Sequence, residues 1–154
     1  MSNPKPTVES TLHVRRILDA PRERVFRAWT DPAWIARWWG PPDGIQQIEV
    51  DLRVGGSYRY SVKPPDGNTW HLVGTYETVE PPEKLVYTWR FENTEQDYGA
   101  ATLVTVEFID RGDQTEVIVT HERFQSGDSR KAHSDGWVIC FDGIAQLLLT
   151  EPDL

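Results

Sequence analysis

The sequence predicts an α+β fold. A curved antiparallel sheet of about seven strands surrounds one long C-terminal helix, with two short helices after the first strand. Three observations carry this. Residues 19–41, DAPRERVFRAWTDPAWIARWWGP, pack two helix starts and an aromatic cluster into one short run. Between residues 45 and 122, apolar residues alternate with polar ones in segments set off by Gly, Pro, Asp and Asn. From about Asp128 the apolar period changes to three and four residues.

The elements follow in order. Thr11 to Leu18 is a strand, with Leu12, Val14 and Leu18 on one side. Pro21 is placed as a first helical residue, where a missing amide matters little. Val25, Phe26, Ala28 and Trp29 then form one apolar face. Asp31 is placed to cap a second helix and Pro32 to pre-set its first turn. That helix carries Ile35, Trp38 and Trp39 and stops at Gly40-Pro41-Pro42. Ile45 to Asp51 is the second strand, and the pair Gly55-Gly56 marks a tight turn. Ser57 to Lys63 presents Tyr58, Tyr60 and Val62 on one face. Thr69 to Glu80 follows with Trp70, Leu72, Gly74 and Tyr76 in phase, and Leu85 to Glu92 with Leu85, Tyr87, Trp89 and Phe91. Asn93 to Ala100 is a polar loop. Thr102 to Ile109 and Thr115 to Glu122 are the last strands, the latter with Val117, Val119 and His121 in phase. The final helix runs from about Asp128 with Trp137, Cys140, Phe141, Ile144, Leu147 and Leu148 on its apolar face. Residues 1–10 read as a flexible polar tail and 11–150 as one domain.

Composition narrows the function. The net charge of -8 argues against a nucleic-acid partner, which needs a basic surface, and against an anionic membrane. No apolar run is long enough for membrane insertion. Cys140 is the single cysteine, so no intrachain disulfide forms and a cytoplasmic, reducing compartment fits. No metal-ligand spacing, phosphate loop or nucleophile elbow occurs, so no cofactor, metal site or catalytic residue is assigned. The expected state is a monomer or homodimer.

One helix covers a face of about seven strands incompletely. Either large side chains fill the remaining gap or a cavity is left. The candidate ligand-binding residues are the in-phase aromatics Tyr58, Tyr60, Trp70, Tyr76, Tyr87 and Trp89, with Trp38 and Trp39 from the short helices. Trp137, Phe141 and His121 complete the set. Flat apolar rings with one polar tip suit an amphiphilic or hydrophobic ligand. His121 reads either as a core histidine bonded to a carbonyl or tyrosine, or as a proton-transfer group paired with Tyr76 or Tyr87. His133 shares a helix face with Trp137 as a packing pair or a gate. His71 and His13 are expected to face solvent. Arg16 has inward parity and would need a partner. The buried thiol of Cys140 is expected to be inert.

The segments RRILDAPRERVFRAWTDPAWIARWWGP, EVDLRVGGSYRYSVKPPDG, GTYETVEPPEKLVYTWRFEN, TEVIVTHERF and HSDGW together resemble the activator of heat-shock protein 90 ATPase homologue family, in the START-like (SRPBCC) superfamily. The resemblance runs from about Arg15 to Leu148. It implies a helix-grip fold with a pocket between the sheet and the C-terminal helix, and a small hydrophobic molecule as ligand. It also implies two alternatives. One is a cyclase- or dehydratase-like enzyme using that pocket. The other is an interaction module for a chaperone, for which Trp34, Trp38, Trp39, Pro41 and Pro42 would expose their rings.

Overall fold

A computed structural model of the chain describes residues 10–39, 45–92 and 101–150. The elements are β1 (Thr11–Leu18), α1 (Arg22–Thr30), α2 (Pro32–Trp38), β2 (Ile45–Val50), β3 (Ser57–Lys63), β4 (Trp70–Glu80), β5 (Lys84–Glu92), β6 (Thr102–Arg111), β7 (Gln114–Glu122) and α3 (Gly127–Thr150). The sheet has seven strands in the order β1-β7-β6-β5-β4-β3-β2, antiparallel throughout. Strands β2 to β7 form a meander. β1 completes the sheet beside β7, with Leu12 opposite His121 and Arg16 opposite Val117. This is the expected α+β helix-grip arrangement. The tail, Gly40-Pro41-Pro42 and the Asn93–Ala100 loop lie outside the described residues, apart from Ser10.

Local chemistry sets the two short helices. Pro21 stands one position earlier than the sequence suggested, at the N-cap of α1. Its carbonyl accepts from the amides of Arg24 (3.0 Å) and Val25 (3.1 Å). Asp31 caps α2 through its side chain, accepting from the amide of Ala33 at 3.0 Å, and Pro32 follows as the first helical residue. Replacing a capping aspartate by alanine removes one of the few partners for the free amides of a helix start. Asp31→Ala should therefore lower stability by about 1 kcal/mol. A urea titration reads this directly, and an unchanged midpoint would show that the cap contributes nothing.

The core lies between the inner face of the sheet and the helices. Val25, Phe26 and Trp29 of α1 share one buried cluster with Phe108, Val104, Val106 and Val117 of the sheet, and Phe26 meets Phe108 edge-on at 5.2 Å. Trp137, Phe141, Ile144 and Leu148 of α3 are buried as the helical period required. Trp29 sits at the centre, 5.7 Å from Phe108, 6.1 Å from Trp137 and 5.7 Å from Phe141. Its indole donates to the Tyr87 hydroxyl at 3.2 Å. α3 approaches α2 closely where Gly143 lies under Trp38. A side chain added there would meet Trp38 at 3.3 Å.

Two features bend the sheet away from plain alternation. The β2–β3 turn is hung on β4: Gly55, at φ +85°, donates to the carbonyl of Tyr76 at 2.9 Å, and Tyr76 donates back to Gly56 at 2.9 Å. On β4 the register shifts between Tyr76 and Thr78. Beyond this bulge Val79 packs on the core opposite Leu85, whereas before it the inward residues are Leu72, Gly74 and Tyr76. One extra residue in a strand reverses the side-chain phase beyond it.

Candidate functional site

The aromatic rows on β3, β4 and β5 divide into two groups. The first is a tyrosine cluster. Tyr58 lies 5.0 Å from Tyr60, 5.6 Å from Tyr76 and 5.5 Å from Tyr87. Their hydroxyls are tied internally. Tyr58 donates to the carbonyl of Thr88 at 2.5 Å, and Tyr87 accepts from Trp29. Burial raises the pKa of Tyr58, Tyr60, Tyr76 and Tyr87 well above the ordinary phenol value, because a phenolate there would lose its water. These rings fill the interior and stay neutral.

The second group surrounds a cavity of about 200 Å³. Its sheet side is Trp89 and Phe91 of β5, with Trp39 from the end of α2. Its helix side is Ala132, His133, Gly136, Trp137 and Cys140 of α3. Ala132, Gly136 and Cys140 recur every fourth residue, so three of the smallest side chains stand in one line along the helix. A side chain added at Gly136 would meet nothing within 4 Å. The space exists because that line of the helix is too short to reach the facing rings. Ala132 is exposed and Phe91 half-buried, so the cavity reaches solvent on that side.

Two tryptophan–histidine hydrogen bonds fix the walls. The Trp137 indole donates to Nδ1 of His121 at 3.0 Å. An indole N–H can only donate, so this Nδ1 is bare and the proton sits on Nε2. Nε2 donates to Thr102 Oγ1 at 2.7 Å, and the Thr102 hydroxyl donates on to the Trp89 carbonyl at 3.1 Å. In the second pair the Trp89 indole donates to Nε2 of His133 at 3.2 Å. His133 Nδ1 then carries the proton and donates to the carbonyl of Ser129 at 2.8 Å. The two histidines thus hold opposite tautomers. Burial, with His133 nearby, pushes the His121 pKa down to about 2. Burial also lowers that of His133, partly offset by the Ser129 carbonyl. Both rings stay neutral among aromatics: His121 lies 4.4 Å from Phe124 and 5.1 Å from His133.

Of the eleven sequence candidates, Trp39, Trp89 and Trp137 line the cavity. Trp70 stands behind the wall, 5.6 Å from Trp39 and 5.9 Å from Phe91. Tyr58, Tyr60, Tyr76 and Tyr87 form the separate cluster. Trp38 packs on Trp29 at 5.6 Å and donates to the Ala28 carbonyl at 2.8 Å. Phe141 lies in the core under Trp29. His121 supports the wall from behind. Phe91, His133, Cys140 and the small residues of α3 join the site although they were not among the candidates. The signal for them was the four-residue spacing of Ala132, Gly136 and Cys140, which marks missing volume.

Several expectations need correction. His121 bonds neither a carbonyl nor a tyrosine; its partners are an indole and a threonine hydroxyl. With both nitrogens engaged and the ring fully buried, it has no lone pair to offer a substrate. Trp34 and Trp39 are buried and Trp38 is largely covered, so these rings form no exposed patch. Pro41 and Pro42 lie outside the described residues. His71 is half-buried and bonded to Ser61 at 2.8 Å. Arg16 does turn inward, bonding Asp142 at 2.9 Å with its guanidinium 5.6 Å from the Phe141 ring. Burial pushes the Cys140 thiol up to about 12, far from a reactive thiolate. Among the described residues no group of three or more His, Cys, Asp or Glu could hold a metal ion. No described helix is long and apolar enough to cross a membrane.

Comparison with known proteins places this geometry. The family model described as "Activator of Hsp90 ATPase homolog 1-like protein" matches residues 19–149. No curated protein matches the chain. Among solved structures, protein CV1439 from Chromobacterium violaceum is 26% identical, with a TM-score of 0.78, over 90% of this chain and 96% of that one. The Mll3558 protein from Rhizobium loti is 27% identical, with a TM-score of 0.75, over 89% and 95%. DynU16, from the dynemicin biosynthetic locus, is 23% identical with a TM-score of 0.74; 92% of this chain covers 48% of that one, and the likeness is one of fold.

Proposed function

The chain belongs to the activator of Hsp90 ATPase homolog 1-like family of the START-like (SRPBCC) superfamily, and on that premise we propose that it binds one small apolar molecule between the sheet and α3. The observation that carries this reading is the cavity of about 200 Å³ between Trp39, Trp89 and Phe91 and the short side chains of α3. Protein interiors pack as densely as organic crystals and leave few voids larger than a water molecule. A void beside four large rings forfeits dispersion contacts on each of them. A ligand of matching size supplies those contacts without displacing any internal hydrogen bond. A protein-interaction reading needed the tryptophans of α2 on the surface, where they do not stand. A histidine-based enzymatic reading needed a free imidazole nitrogen, and both nitrogens of His121 are taken.

Gly136 provides the test. Gly136→Leu places a branched side chain in the open space and should weaken ligand binding by roughly a hundredfold, the effect of overpacking by about 2–3 kcal/mol. Gly136→Ala should raise stability by about 1 kcal/mol, since alanine is the better helix former and its methyl meets nothing. Native mass spectrometry of gently purified protein should show a small-molecule adduct that is absent from Gly136→Leu. Equal adducts in both would place the ligand elsewhere and end this reading.

A further inference from the structure

We infer that the cavity takes an uncharged molecule built on a single aromatic ring, and that His133 and His121 impose this choice by tying up the polar edges of the two tryptophans on its wall. The inference rests on the binding reading above and names the ligand class for the same site. The volume of about 200 Å³ lies below the roughly 300–1,000 Å³ usual for drug-sized ligands. It lies just above the roughly 150 Å³ in which an apolar engineered cavity holds benzene. A single ring with a short substituent fits. A flexible chain of equal volume would lose torsional freedom that a ring does not have.

The polarity of the wall follows from the hydrogen bonds. A tryptophan ordinarily offers one donor, its indole N–H. Here the Trp89 donor goes to His133 and the Trp137 donor to His121. The remaining imidazole nitrogens face Ser129 and Thr102. No Lys, Arg, Asp or Glu lines the space among the described residues. Cys140 adds only a weak S–H. A carboxylate carried into the cavity, away from its open side, would leave water and find neither cation nor free N–H among the described lining residues, which is the costly case of burying a charge. Without His133 the Trp89 indole would present its donor, and the wall would favour ligands that carry an acceptor.

Four probes test this by ligand-observed NMR: ethylbenzene, acetophenone, benzoate and decanoate. Ethylbenzene is expected to bind, to be lost in Gly136→Leu, and to exceed benzoate at least a hundredfold. In His133→Leu the freed Trp89 N–H should improve acetophenone about fivefold relative to ethylbenzene, the effect of one net neutral hydrogen bond. His133→Gln, which keeps an acceptor, should hold the wild-type ratio. Thermal melts confirm that each variant is folded. Benzoate binding as tightly as ethylbenzene, or decanoate displacing it, overturns the ligand class while sensitivity to Gly136→Leu keeps the cavity reading. An unchanged acetophenone ratio in His133→Leu overturns the role of the histidine. Binding of every probe that ignores Gly136→Leu, or none at all, overturns the inference together with the cavity reading.

Discussion

Acidification from pH 6.5 to 5 should cost this protein about 1.7 kcal/mol of unfolding free energy from His121 alone, the slope approaching about 1.4 kcal/mol per pH unit at the acid end. The folded ring titrates near 2, whereas the unfolded one titrates near its ordinary value of 6.5. Well above pH 6.5 both states hold a neutral ring and stability is complete. Below it the unfolded chain takes up a proton that the folded chain refuses, so stability falls with pH. The refusal has a structural cause. A proton on Nδ1 would face the Trp137 N–H, and the charge would lie in an aromatic box without water. His133 is shifted in the same direction and steepens the slope. The depressed Glu116 carboxyl, bonded by Arg111 and Arg15, acts in a different window. It contributes above the carboxylate range and fails only at lower pH. Urea titrations between pH 7.5 and 5 therefore isolate the histidines. His121→Phe should be less stable at pH 7.5, because Trp137 and Thr102 lose a partner, and its slope should be flatter below pH 6.5. Parallel slopes in the two proteins would refute the assignment.

How far the fold was legible follows from where its information lies. The strand and helix periods are local, so Ser57–Lys63 is legible to the residue and the final helix to within a residue or two at each end. The Asp31 cap was legible for the same reason. The bulge after Tyr76 was not, because a register shift depends on the neighbouring strand. Nor were the partners of His121, since Thr102 and Trp137 are brought to it by the β6–β7 pairing and by the docking of α3. The site itself shows the sharpest gap. Large aromatic residues have the chemistry of ligand contacts, yet most of them here fill space. The empty volume is set by what is small, Ala132, Gly136 and Cys140, whose side chains carry little chemistry to mark them in a sequence. Rings on the sheet became cavity wall only where the facing helix residue was too short to touch them.

The same contrast gives the largest substitution effect expected in the sheet. Gly74→Ala should destabilise by about 3 kcal/mol or more, although the identical change at Gly136 should stabilise. On intrinsic grounds alanine is favoured over glycine in a strand. At Gly74 the added methyl would be driven into the carbonyl oxygen of Thr88 and would stand 2.5 Å from the Tyr58 ring and 2.7 Å from its hydroxyl. A ring can turn aside, but the Thr88 carbonyl is backbone. It accepts the Tyr58 hydroxyl at 2.5 Å, while the Thr88 side chain accepts the amide of Thr75 at 2.9 Å. The second bond joins β4 to β5 between the Val73–Arg90 and Tyr76–Tyr87 pairs, and the first reaches past Gly74 from β3 to β5. Moving the carbonyl therefore loosens both the strand pairing and the tyrosine cluster packed over it. Tyr58→Phe separates the contributions. It removes only the hydroxyl bond and should cost about 1 kcal/mol. In the double variant most of the Gly74→Ala penalty should persist, because the clash with Thr88 remains. Urea midpoints of the three variants decide the matter. A Gly74→Ala protein as stable as the parent would mean that β4 and β5 can part at this point without loss, and the glycine would have no steric reason to stand in that row of large rings.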